Sequence, residues 1–126
     1  MLVLDAGGVS RLAARTRRAA ALIVALQEQG LWPPAVPSAV LVECLTGDPG
    51  RDAVANRFLK TCDIVETLPV PLARRAARLR AQARRGSAVD TLVVAIAEPT
   101  GVVITGDVDD LAALASCADN VTIERI

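Results

Sequence analysis

Residues 102–114 read VVITGDVDDLAAL: an apolar run, a glycine, three aspartates within four positions, and then Ala and Leu at helical spacing. A short continuous apolar run closed by a turn residue is a buried strand. When a helix follows at once, the unit is the building block of a parallel α/β sheet. The junction carries Asp107, Asp109 and Asp110. Locally, Asp107 reads as the N-cap of the helix with Asp110 at N3. The other reading turns one of them inward, toward carboxylates from elsewhere in the chain.

The rest of the chain repeats that unit. MLVL at 1–4 is a first strand ending at Asp5, and an Ala-, Leu- and Arg-rich stretch predicts a helix from about 9 to 29, stopped by Gly30. LWPPAVP is broken by three prolines, so a strand there is short or at an edge. Ser38 after Pro37 is placed to cap a helix, AVLVECL, ending near Gly47; another spans about 50–61, and DIVETL is a strand. Residues 71–85 are amphipathic, with Leu72, Ala76, Leu79 and Ala83 on one face and Arg74, Arg78 and Arg85 opposite. Ser87 opens a helix whose residues 88–97 are apolar almost all round apart from Asp90 and Thr91, the signature of a buried helix. VTIERI is a last strand. The expectation is a single α/β domain over 1–126, a parallel central sheet with helices on both faces.

Composition removes whole classes of chemistry. The chain has no histidine, which excludes Ser-His-Asp triads, Cys-His pairs and His-based zinc sites. Trp32 and Phe58 are the only aromatic residues, too few for a base-stacking platform. Cys44, Cys62 and Cys117 form no CxxC pair and read as reduced core thiols. Neither a signal peptide nor a membrane-length apolar run is visible, so the expected location is the cytoplasm. Net charge is zero but sorted: residues 87–126 hold seven acids against Arg125 alone. Arg11, Arg15, Arg17 and Arg18, and then Arg74, Arg75, Arg78, Arg80, Arg84 and Arg85, supply much of the balance. That sorting points to an acidic site with basic rims, or to an acidic partner.

In open α/β sheets, ligands bind beyond the carboxyl ends of the strands. Asp5 and Asp107 follow strands directly, Asp90 falls in the first turn of the buried helix, and Glu43 borders an apolar arc and points sideways into a cleft. Each has a plainer role: Asp90 as the acid of a capping box with Ser87, Asp107 as a cap, Asp5 as a turn residue, Glu43 as a solvated helix acid. Four converging carboxylates raise one another's pKa, and a divalent cation relieves that. With carboxylates and no imidazole, the ion that suits this chain is Mg²⁺ or Mn²⁺. Such an ion activates water at a phosphate, and the basic rims would hold a polyanion over it.

LVLDAG, VLVECLTG, SAVDTLVVAIAE and VVITGDVDDLAALA, in that order over residues 2 to 115, resemble the PIN-domain ribonucleases, specifically the VapC toxins of bacterial toxin–antitoxin pairs. The resemblance implies a Mg²⁺- or Mn²⁺-dependent endoribonuclease, a homodimer, held inactive by a cognate antitoxin. It implies metal binding by Asp5, Glu43, Asp90 and Asp107, with Asp110 as an outer fifth candidate and Thr105 as a hydroxyl near the metal or water. Arg11, Arg15, Arg78 and Arg85 are candidates for contact with RNA. By the same likeness, metal-activated water cuts RNA to leave 5′-phosphate and 3′-hydroxyl ends.

The chain departs from the family pattern where many relatives carry a hydroxyl two positions after the first aspartate. Gly7 stands there, with Gly8 behind it and Ser10 further along. That departure motivates a second reading, a PIN-like module that binds RNA or protein with weak or no catalysis. A third is a phosphatase of the haloacid-dehalogenase type with Asp5 as nucleophile. That class wants an aspartate where Gly7 stands, and Lys60, the only lysine, would have to serve it.

Overall fold

The computed structural model describes the whole chain, residues 1–126. Five strands, β1 (Leu2–Leu4), β2 (Ala35–Pro37), β3 (Asp63–Val65), β4 (Val102–Thr105) and β5 (Thr122–Arg125), form one sheet. All pairings are parallel, and the order across the sheet is β3-β2-β1-β4-β5. Helices α1 (Ala6–Ala13), α2 (Arg17–Glu28), α3 (Ser38–Cys44) and α4 (Ala53–Leu59) gather on one face; α5 (Val70–Ala83), α6 (Ala88–Ala97) and α7 (Asp109–Ser116) gather on the other. The expected α/β architecture is therefore the observed one.

The apolar strands are continuous because both sheet faces are covered. Leu2, Val3 and Leu4 of β1 and Val103, Ile104 and Thr105 of β4 are buried. β3 and β5 are more exposed, and their open positions include Asp63, Thr122, Glu124 and Arg125. Helix α6 packs on β1, β2 and β4 and is flanked by α5 and α7, which explains its nearly all-apolar sequence. Helix α5 buries Ala76 and Leu79 and leaves Arg74, Arg78 and the following Arg85 in solvent, as its periodicity predicts. Burying Leu79 fully stabilises the fold by about 2 kcal/mol relative to leaving it exposed.

Three local expectations need correction, and a fourth is made more definite. The helix expected over 9–29 is two helices, because Arg15 takes a left-handed conformation (φ 54) and Thr16 starts a new one by accepting the Ala19 N–H at 3.1 Å. Strand β2 is short, as its prolines predict, yet it lies inside the sheet. Pro34 precedes it and Pro37 ends it, so each missing N–H falls at its margin, and it meets β1 through one register pair, Val3 with Ala35. Ser38 does not cap α3: it is the first helical residue, Pro37 holds the cap position without a side-chain bond, and the helix ends at Cys44. Helix α4 is shorter than 50–61 because the preceding loop is tied up by Asp52. That carboxylate accepts from the Thr46 N–H at 2.9 Å, the Thr46 hydroxyl at 2.8 Å and the Gly47 N–H at 2.9 Å. No helix is long and apolar enough to cross a membrane.

The candidate acidic site at the switch between strands

From β1 the chain steps through β2 to β3 in one direction, while β4 and β5 lie on the other side. At such a reversal open α/β sheets take their ligands in a crevice beyond the carboxyl ends of the strands, here β1 and β4. Leu4 pairs with Ile104, so the next residues, Asp5 and Thr105, stand side by side at that crevice.

Asp5 belongs to both strand and helix. It is the N-cap of α1, and its Oδ1 accepts the Gly8 N–H at 2.7 Å. Its Oδ2 lies 2.6 Å from the Thr105 hydroxyl. That hydroxyl is also 2.9 Å from the Asp107 carbonyl oxygen, and it accepts the Asp107 N–H at 3.1 Å. One proton serves one acceptor at a time, and the carboxylate is both closer and stronger. Burial pushes the Asp5 carboxyl above the usual carboxylate range; the bonds from Thr105 and Gly8 pull it back, and the charge of Asp90 raises it further.

The two glycines after Asp5 have a packing cause. A β-carbon on Gly8 would run into the carbonyl oxygen of Ile104, so α1 can rest on β4 only without one. A β-carbon on Gly7 would lie 2.9 Å from the Gly106 nitrogen and 3.6 Å from Asp5 Oδ1. The hydroxyl beside Asp5 comes from Thr105 across the strand pair, while Ser10 is exposed on α1.

The other acids divide. Asp90 is half-buried and completes a capping box: it accepts the Ser87 N–H at 3.2 Å, and the Ser87 hydroxyl accepts the Asp90 N–H at 3.1 Å. Its charge still reaches Asp5. Asp107 is exposed and accepts the Asp109 N–H at 3.2 Å, while Val108 holds the cap position of α7. Asp110 pairs with Arg85 at 3.1 Å, both half-exposed. Glu43 is exposed near the end of α3. No three acidic or thiol side chains stand close enough together to hold an ion as they are placed. The donor type suits a hard divalent cation. Asp90 and Asp107 each accept a backbone N–H through one oxygen only, which leaves the second oxygen of each as a donor to such an ion.

The arginines separate as well. Arg11 reaches Gly106, and Arg85 sits beside Asp110, so both border the crevice. Arg15 does not: with Leu12, Ile23, Trp32, Phe58 and Thr61 it lines the largest cavity, about 300 Å³. Trp32 precedes β2, which places this cavity toward the amino ends of the strands, away from the acids. Arg78 is exposed in the middle of α5, near enough to Glu98 for its charge to act there. Sequence reading missed two polar centres, the Asp52 loop clasp and the pairing of Arg75 with Glu98. Arg75 donates to Glu98 twice, at 2.8 and 2.7 Å, across 23 positions of sequence. The cysteines are free and half-buried, and burial pushes the Cys62 thiol up to about 11 and raises Cys44 as well, as expected of inert packing residues.

No family model matches the sequence, and no curated relative does. Solved structures do resemble the fold. A structure of VapBC2 from Rickettsia felis, bound to a DNA fragment from their promoter, matches with a TM-score of 0.71 at 13% identity. The match covers 100% of this chain and 99% of that one. PAE2754 from Pyrobaculum aerophilum matches with a TM-score of 0.61 at 16% identity, over 98% of this chain and 92% of that one. The fold is therefore shared with these two structures over nearly the whole chain, a parallel α/β sheet covered by helices on both faces, as the sequence leads one to expect.

Proposed function

We propose that this chain is an endoribonuclease of VapC type, dependent on Mg²⁺ or Mn²⁺ and restrained by a cognate antitoxin. The observation that carries the reading is the pairing of Asp5 with Thr105 at the strand switch of this fold, with Asp90 near enough to raise its pKa. A half-buried carboxylate beside a second acid and without a cationic partner is an arrangement that costs stability unless something binds it. The VapBC2 structure supports the antitoxin part, since there a partner and promoter DNA accompany the likeness.

Asp5, Asp90 and Asp107 are the residues to hold the ion, with Glu43 and Asp110 further out. A bound Mg²⁺ or Mn²⁺ neutralises these carboxylates and supplies Lewis acidity at a phosphate. Thr105 fixes the Asp5 carboxylate through Oδ2 and the Gly8 N–H fixes it through Oδ1, so its plane is set before any substrate arrives. Arginines of α1 and of the stretch 74–85 hold the polyanion. A homodimer fits the exposed apolar side chains at the start of α5, Leu68 at 50% and Val70 at 64% exposure.

One observation favours a second reading, a PIN-like module that binds RNA without cutting it: Asp90 and Asp107 are engaged by backbone N–H groups, and Gly7 offers no hydroxyl. Induced expression of the wild type and of Asp5→Ala, with new RNA 5′ ends mapped across all transcripts, separates the two. The nuclease reading expects discrete new 5′-phosphate ends and arrested growth, both lost in the variant. Cleavage that persists in Asp5→Ala, or needs no metal and leaves cyclic phosphates, rejects it. RNA bound but never cut, with Mg²⁺ or Mn²⁺ present, establishes the module instead.

A further inference from the structure

Gly106 joins β4 to the turn that presents Asp107, and it lies between Gly7 and Arg11. A β-carbon on Gly106 would stand 2.8 Å from Nε of Arg11 and 3.5 Å from both its Cδ and its Cζ. On the other side, the β-carbon that Gly7 lacks would stand 2.9 Å from the Gly106 nitrogen and 3.4 Å from its Cα. Two bare backbones therefore meet at the rim of the crevice, and the Arg11 side chain lies across one of them.

Backbone conformation does not explain the glycine at 106. Its φ is not positive, and the three heavy atoms nearest the missing β-carbon all belong to the Arg11 side chain. What the absent side chain makes room for is Arg11. The three ion pairs of the protein engage Arg51, Arg75 and Arg85, so the Arg11 charge stays unpaired although it lies on the loop that carries Asp107. An unpaired guanidinium beside acidic side chains presents a planar fork to an incoming phosphate, which an ammonium cannot reproduce.

We infer that Arg11 positions an RNA phosphate beside Asp5, and that Gly106 seats Arg11 by having no side chain. The inference rests on the RNA reading of the crevice and specifies which cation works there and what holds it in place.

The test is binding of a fluorescein-labelled, mixed-sequence RNA oligonucleotide by the full chain, titrated at several salt concentrations in the uncleaving Asp5→Asn background. Arg11→Ala is expected to weaken affinity about tenfold and to lower the magnitude of the salt slope by about 0.7, the share of one single-strand phosphate. Arg11→Lys keeps the slope but, in the otherwise wild-type enzyme, lowers the cleavage rate. Gly106→Ala, whose β-carbon would push Arg11 aside, reproduces the loss and adds nothing once Arg11 is alanine. Unaltered melting temperatures separate these effects from misfolding, and Arg11 is exposed, so its variants fold even if Gly106→Ala does not. Equal losses from Gly106→Ala with and without Arg11 overturn the seat. RNA binding unchanged by Arg11→Ala overturns the positioning role while leaving the nuclease reading standing. No RNA binding by any form removes the reading and the inference together.

Discussion

The two ends of helix α6 handle negative charge in opposite ways. At its carboxyl end, Glu98 is 11% exposed and fully partnered: Arg75 holds both oxygens, and the Asp119 N–H donates to Oε2 at 2.8 Å. Those Arg75 bonds, ahead of the opposing effect of burial, hold its carboxyl below the usual range. At the amino end, neither Asp90 nor Asp5 has a salt-bridge partner, and Asp5 is raised, by its burial first and by the charge of Asp90 in addition. One end of the fold has a carboxylate whose charge is compensated inside the protein. The other has a carboxylate pair left for something outside it. At these two ends, what sets the structural acid apart from the candidate functional one is a resident cation.

The largest effect that sharpens this contrast is at Asp5. Asp5→Asn keeps the N-cap oxygen and is expected to remove RNA cleavage by on the order of 10²-fold or more with little change in melting temperature. A purely structural Asp5 would do the reverse, melting early while the remaining activity per folded molecule held. Thr105→Val comes next: it removes the hydroxyl that orients Asp5 and is expected to cost about 10–100-fold in metal affinity or rate. Isothermal titration with Mn²⁺ and single-turnover cleavage read these two quantities separately.

At the opposite end, Glu98→Gln is expected to destabilise by about 2 kcal/mol and leave the cleavage rate per folded molecule unchanged. Because the folded-state pKa of Glu98 is depressed, its contribution is fully present above its ordinary 4.5 and is lost as pH falls through the lowered value. Urea midpoints of wild type and Glu98→Gln should therefore converge as the solution is acidified. Midpoints that stay parallel down to the acid limit would show that the Arg75 pairing does not stabilise the fold. The smallest effect is at the exposed Arg85–Asp110 pair, where Asp110→Asn should change stability by less than about 1 kcal/mol, and less still in high salt.

What the sequence makes legible is what is local. The strand runs LVL and VVIT, the Ser87–Asp90 capping box and the buried face of α5 all follow from spacings of a few residues. The break at Arg15 was hidden because a left-handed arginine has no sequence signature, although Thr16 three residues before Ala19 was available as a cap signal. The interior place of β2 depends on partners, not on its own residues. The same limit applies to the site. Asp5 and Asp90 were identifiable as strand-end and first-turn acids, but their neighbours were not: Thr105 bonds to Asp5 across 100 positions, and Arg11 meets Gly106 across the α1–β4 packing. Glu43 was placed by the edge of an apolar arc, and a seven-residue helix carries it in the open.

The outer strands also govern how the molecule meets its own kind. β3 and β5 are three and four residues long and carry Asp63 at one margin and Glu124 and Arg125 at the other. A second sheet pairing along either margin would have to set charged, solvated side chains against a very short ladder, which discourages sheet continuation and the fibrils that grow from it. Crowded copies are thereby directed to meet through helical surfaces, and the sheet, which holds the acids in register, is left to a single chain.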